Sequence, residues 1–166
     1  MLVDSWIKVL ECVVSRLDIK FVAENVTKAI KDIPSLKHQL PKRKRGNRLV
    51  FSVAKNIGED GLDKDPLLHK LIMSICDDNN HRIRKDGCNF LKEYFKQDKE
   101  KIIKNERFKE TYLPLLIDFL NDEDPFIQIS AIEATCEVID QLSVEQIEKD
   151  FVPQVLNFMD TENQPQ

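Results

Sequence analysis

The densest set of chemically capable side chains is the run Pro41-Lys42-Arg43-Lys44-Arg45-Gly46-Asn47-Arg48, with five positive charges in seven residues. Such a run can contact phosphates, dock on an acidic partner surface or act as a nuclear import signal. It also reads as a solvated loop between two helices, paired loosely with acidic neighbours. No aromatic residue occurs from 22 to 50, so the interleaving that stacks single-stranded bases is missing. Two acidic turns follow, Asp77-Asp78-Asn79-Asn80 and Asn121-Asp122-Glu123-Asp124. Carboxylates at this density suggest calcium, but the twelve-residue loop with a central glycine and a terminal glutamate is absent. Helix capping explains them better.

The remaining candidates for chemistry are sparse. Cysteines stand at 12, 76, 88 and 136 with no Cys-x-x-Cys pair, and His38, His69 and His81 add no second ligand at zinc spacing. Cys12, Cys76 and Cys136 fall on apolar helical faces and are expected to be small buried hydrophobes. No Gly-rich phosphate loop and no Gly-x-Ser-x-Gly is present. The mixed-sign run from Lys92 to Lys109 reads as a solvated connection. A helical-repeat glycosylase would need a catalytic Asp in an aromatic-lined groove, and the sole tryptophan, Trp6, is expected in the core. These residue types point to binding, with no enzyme activity and no cofactor.

What positions such residues is a set of helices. The 166-residue chain is 42% hydrophobic and 33% charged, has four glycines and carries a net charge of −4. That is the profile of a soluble helical protein. The balance gives no drive toward anionic membranes, and nucleic acid is an unlikely ligand. A cytoplasmic protein is expected, with the nucleus a second compartment should the basic run act in import. Trp6, Leu10, Val13, Val14 and Leu17 make one stripe at helical period; Ile19, Val22, Val26, Ile30 and Ile33 a second; Leu49, Val53 and Ile57 a third, closed by Gly58. Asp65-Pro66 opens a helix through Leu68, Leu71, Ile72 and Ile75. Further stripes run through Ile83, Phe90, Leu91, Tyr94 and Phe95, then Phe108, Tyr112, Leu115, Leu116 and Phe119. Asp124-Pro125 opens the seventh, through Ile127, Ala131, Ala134, Val138 and Ile139. Ser143 and Gln146 form a capping box for a last helix ending near Met159. The spacing predicts an all-α chain.

Self-comparison exposes a repeat. Tyr112-Leu113-Pro114-Leu115-Leu116-Ile117-Asp118-Phe119-Leu120-Asn121 aligns with Phe151-Val152-Pro153-Gln154-Val155-Leu156-Asn157-Phe158-Met159-Asp160 at an offset of 39, with nine of ten pairs identical or chemically close. Asp78-Asn79-Asn80-His81-Arg82-Ile83-Arg84 aligns with Asp122-Glu123-Asp124-Pro125-Phe126-Ile127-Gln128 at an offset of 44, with Gly87 on Ala131 and Phe95 on Ile139. A small residue four positions after the aliphatic one suits close helix packing.

This pattern resembles the HEAT repeat: a proline-bearing first helix, an Asp/Asn-rich turn, and a second helix reading aliphatic-Arg-x-x-small, here Ile83-Arg84-Lys85-Asp86-Gly87. The resemblance implies an α-α superhelix, a HEAT/armadillo-like solenoid of antiparallel helix pairs, over residues 1–160, about three to four repeats, with a flexible tail over 161–166. Such a chain is expected to be a slice of a longer solenoid with apolar surface at both ends. A narrower similarity, carried by Ser74-Ile75-Cys76-Asp77-Asp78 followed by Ile83-Arg84, and by Trp6-Ile7-x-Val9-Leu10 and Arg48-Leu49-Val50-x-Ser52, is to the HEAT-repeat regulatory and scaffold subunits of Ser/Thr protein phosphatases 4 and 2A. It departs from them at Gln128, where they usually have Arg, and at the basic insert around 42–45. The resemblance implies a non-catalytic subunit that binds a phosphatase catalytic subunit and its substrates through the intra-repeat turns. By position those contacts would fall on Lys42, Arg43, Lys44, Arg45, Arg48, Asp77, Asp78, Asn80, His81, Asn121, Asp122 and Asp124. The runner-up is a karyopherin-like transport protein or a nucleic-acid-binding helical repeat.

Overall fold

A computed structural model describes residues 2–32, 39–97 and 99–162. Helices cover 84% of the molecule, and no strand occurs among the described residues. The chain divides into two compact units, Met1–Phe90 and Leu91–Gln166, with the boundary inside one helix.

The first unit holds α1 (Leu2–Val14), α2 (residues 19–30), α3 (Leu40–Lys64), α4 (Pro66–Cys76) and most of α5 (His81–Phe95). Asp18 caps α2, accepting from the amides of Lys20 and Phe21, and α2 widens into a π turn over Val22–Thr27. Ile33 and His38 lie outside the described residues. Helix α3 carries Pro41 in its first turn, where a missing N–H costs nothing. It breaks at Gly58, whose φ of 62° is open to glycine and strained for other residues. Asp65 then caps α4, accepting from the Leu68 amide at 3.0 Å. Its second oxygen accepts the Thr27 hydroxyl at 2.6 Å, so the cap is buried and also ties α2 to α4. Val50, Phe51, Val53 and Ala54 of α3 join Leu68, Ile72 and Ile75 of α4 and Ile83 and Phe90 of α5 in the core. The Phe51 and Phe90 rings stack with centroids 4.5 Å apart.

Two expectations for this unit need correction. The basic residues 42–48 are not a loop but the first turns of α3. Lys and Arg are good helix formers, and the proline that looks like a loop marker is a start signal. The stripe on α1 is also rotated: Ile7 and Val14 are buried, whereas Trp6 is 61% exposed, with Leu10 and Val13 exposed beside it. Periodicity identifies an apolar stripe without saying which part of it meets a neighbour. Cys12, on that outer side, is exposed, while Cys76 and Cys88 are buried.

The second unit holds the end of α5, α6 (Lys99–Lys104), α7 (residues 108–120), α8 (Pro125–Cys136), a 3₁₀ turn Ile139–Gln141, and α9 (residues 144–162). Thr161 and Glu162 of the expected tail belong to α9; the rest lies outside the described residues. Its core is aromatic. Tyr94 meets Tyr112 edge to face at 6.2 Å, and Phe95 meets Phe108 and Tyr112 at 5.9 and 6.1 Å.

The repeat at 39 reappears as backbone geometry in this unit. A π turn covers Phe108–Tyr112 in α7 and another covers Ile147–Phe151 in α9, and each runs directly into a Pro-bearing α segment. In each, the residue before proline donates five residues back, Leu113 to Phe108 and Val152 to Ile147. Proline has no N–H for the usual i−4 bond, and its ring crowds that carbonyl, so one widened turn relieves both problems.

Three cation–carboxylate pairs lock the flank of this unit. Lys92 reaches Glu133 at 2.8 Å, Lys96 reaches Glu137 at 3.5 Å, and Lys99 reaches Asp140 at 2.7 Å. Both partners advance along the chain together, so the two segments, from α5 into α6 and from α8 into the 3₁₀ turn, run in the same sense. The first unit shows the same sense, since Lys44 meets Asp86 and Phe51 meets Phe90. The run from Lys92 is therefore an inter-helix ladder rather than a bare solvated connection. Hydrogen bonding to Lys92 holds the Glu133 carboxyl below its ordinary range, and Lys99 does the same for Asp140. These groups are exposed, so salt screens them and their main effect is on register.

Candidate functional site

The acidic turns are built from the same bonds. In the first unit the Asp78 carboxylate accepts the Asn80 amide at 2.8 Å, and Asn80 Oδ1 accepts the Arg82 amide at 3.0 Å, capping α5. From within α5, Arg84 donates back to the Asp78 carbonyl at 2.9 Å. In the second unit Asp122 accepts the Asp124 amide at 2.9 Å, and Asp124 accepts the Phe126 amide at 2.8 Å, capping α8. Gln128 then donates to the Asp122 carbonyl at 2.7 Å. Every one of these bonds recurs 44 residues on. An Asx turn, a cap and a side-chain staple together satisfy the orphan amides of the helix start and fix its entry angle.

The departure at Gln128 now has a physical account. Its side-chain amide reaches the Asp122 carbonyl, the equivalent 44 residues on of the Asp78 carbonyl that the Arg84 guanidinium reaches. Gln128→Ala is expected to cost about 1 kcal/mol by loss of that staple, whereas Gln128→Arg should stay within ~0.5 kcal/mol of the parent. Denaturant unfolding of the three proteins checks this. Equal midpoints for parent and Gln128→Ala would refute the staple.

The basic run is consumed in a similar way. The buried Arg43 forms an ion pair with Asp78, so one carboxylate holds both α3 and the turn before α5. Lys44 pairs with Asp86 at 3.5 Å and Arg48 with Glu11 at 3.9 Å. Burial raises the Asp86 carboxyl, and Lys44 pulls the other way. Asn47, one turn beyond Arg43, is buried with neither amide atom hydrogen-bonded to a described residue. Of the residues expected to contact a partner, Arg43, Asp78, Asn80, Asp122 and Asp124 therefore hold the fold itself. Lys44 and Arg45 are half-buried. Lys42, Arg48, Asp77, His81 and Asn121 are exposed, as are Asn79 and Glu123 within the same turn segments.

Among the described residues no group of three His, Cys, Asp or Glu side chains is arranged to hold a metal ion, and no helix is long and apolar enough to cross a membrane. Burial pushes the Cys76 thiol well above its ordinary range, which makes it a poor nucleophile.

A second surface escaped the sequence reading. Leu120, Ile132, Thr135, Cys136, Phe151 and Val155 line a groove of about 350 Å³ between α8 and α9. Cys136 is exposed there, not buried as expected. The signal was present: α8 is apolar nearly all round, with Phe126, Ile129 and Ile132 at helical spacing opposite the buried Ile127, Ala131 and Ala134. Compared with known proteins, the chain matches no family model and no curated sequence.

Proposed function

We propose that the chain is a non-catalytic protein-binding scaffold of the HEAT type, an α-α superhelix, and that it binds and targets a Ser/Thr protein phosphatase catalytic subunit of the 4/2A type. The observation that carries the scaffold reading is the recurrence of whole hydrogen-bond sets at the repeat offsets. The Pro-linked π turns return at 39 and the Asx-cap-staple turns at 44. Repetition of local geometry together with sequence is what a helical-pair array requires. The parallel sense of the Lys92–Lys99 ladder supports it further.

The phosphatase part rests on the Ser74-Ile75-Cys76-Asp77 and Ile83-Arg84 resemblance. Its mechanism would be holding and positioning, with the exposed turn residues Asp77, Asn79, His81 and Glu123 as contacts. The transport or nucleic-acid reading draws on the basic run, and the ion pairs of Arg43, Lys44 and Arg48 leave that run little free charge.

An affinity pull-down from cell extract at moderate salt, read by mass spectrometry, tests the proposal. Enrichment of a phosphatase 4 or 2A catalytic subunit is expected, at least ~10-fold reduced by the double charge reversal Asp77→Lys/Glu123→Lys, which spares the capping bonds. Recovery of importins or nucleic acid with no phosphatase would replace it with the second reading.

A further inference from the structure

The α8–α9 groove and the outer strip of α1 are apolar surfaces that the turns leave unexplained. From Asn121 to Glu162 the chain carries eleven carboxylates against one base, Lys149. Lys92, Lys96 and Lys99 neutralise three of those carboxylates, but Glu145 and Glu148 stay exposed. Glu148 and Asp150 lie in the π turn of α9 that ends at Phe151, whose side chain lines the groove. The groove wall is apolar, with Val155 57% exposed. An occupant must therefore bring apolar side chains at helical spacing, bordered by positive charge.

Helix α1 has that pattern. Trp6, Val9 and Val13 share one exposed face, Lys8 borders it, and Arg16 continues it in the following turn. The acid beside them, Glu11, is engaged by Arg48. We propose that α1 of a second copy of this chain docks in the α8–α9 groove, with Trp6 as anchor and Lys8 and Arg16 facing the acidic border. The two surfaces differ, so the interface is heterologous: each copy offers one strip and one groove, and association proceeds head to tail. The proposal is independent of the phosphatase reading.

Sedimentation velocity on the full chain over a concentration series tests it. The weight-average mass is expected to rise with concentration. Trp6→Glu on the strip and Val155→Lys in the groove should each weaken association at least ~100-fold, as expected when a charge replaces a central apolar anchor. Mixed together, the two variants should form a one-to-one dimer and nothing larger, because one intact strip and one intact groove remain. A parent that stays monomeric to ~100 µM would overturn the proposal, since a functional interface is tighter than that. So would either variant associating as the parent does, or a mixture that remains monomeric. Both positions are exposed, and thermal melts followed by circular dichroism verify folding. Val13→Glu and Met159→Lys replace any variant that fails that check.

Discussion

Asp78→Ala is expected to destabilise the first unit by about 3 kcal/mol, more than any other single charge removal in the chain. Asp78 neutralises Arg43, a residue only 5% exposed, through one carboxylate oxygen. Through the other it accepts the Asn80 amide and shapes the turn before α5. Truncation strands a positive charge away from water and frees a turn amide at once. The Asp78 side chain is itself 14% exposed, so some water reaches the site and keeps the loss at the lower end of the range for a broken buried pair.

The pair can be separated from the turn by a double-mutant cycle. Asp78→Asn keeps an oxygen for the Asn80 amide but removes the charge. Arg43→Met keeps the aliphatic stem and removes the guanidinium, leaving a carboxylate that still reaches solvent, so it should cost about 1 kcal/mol. The double variant should recover about 2 kcal/mol relative to the sum of the singles, because no charge is then left buried. Denaturant unfolding measures the four proteins of the cycle and Asp78→Ala beside them. A loss below ~1 kcal/mol for Asp78→Ala would mean that Arg43 finds another route to water, and the basic run would regain its standing as a partner surface.

The local signals in the sequence translated well because their physics is local. Asp65, Asp124 and Ser143 each cap the helix they were expected to open, with Gln146 closing the capping box. Gly58 ends its helical stretch at positive φ. The misreadings concern what comes to lie against what. Trp6 shares a helical stripe with Val14, yet period alone does not select the covered edge. The charges of 42–48 look solvated until Asp78, Asp86 and Glu11 are brought to them by tertiary packing. The α8–α9 groove was legible as an all-round apolar helix, but a search for one stripe per helix passes over it.

Gly87→Leu is expected to cost about 3 kcal/mol or more, and Gly87→Ala about 1 kcal/mol, although either change on an open helix would stabilise. A Cβ at Gly87 would stand 2.9 Å from Cys76 Sγ, 3.1 Å from Cys76 Cα and 3.4 Å from Cys76 N. The thiol can turn aside, but the backbone of α4 cannot, so α4 and α5 would have to part by a few tenths of an ångström. That displaces the tightly packed Ile75, Cys76, Ile83 and Cys88 around this crossing. Opposing this is the roughly 1 kcal/mol gained when alanine replaces a mid-helix glycine. The steric cost should win, narrowly for alanine and decisively for leucine. Cys76→Ala in the Gly87→Ala background should recover part of the loss, because it removes the sulfur while the α4 backbone still crowds the new methyl group. The equivalent position 44 residues on is the control: Ala131 is buried and accommodated, so Ala131→Gly should destabilise by about 1 kcal/mol. A loss from both changes, glycine to alanine at 87 and alanine to glycine at 131, would show that the spacing of α4 and α5, not helix propensity, selects glycine at 87. If Gly87→Ala instead stabilised by ~1 kcal/mol, the helices would have slack where they cross and the glycine would carry no packing role.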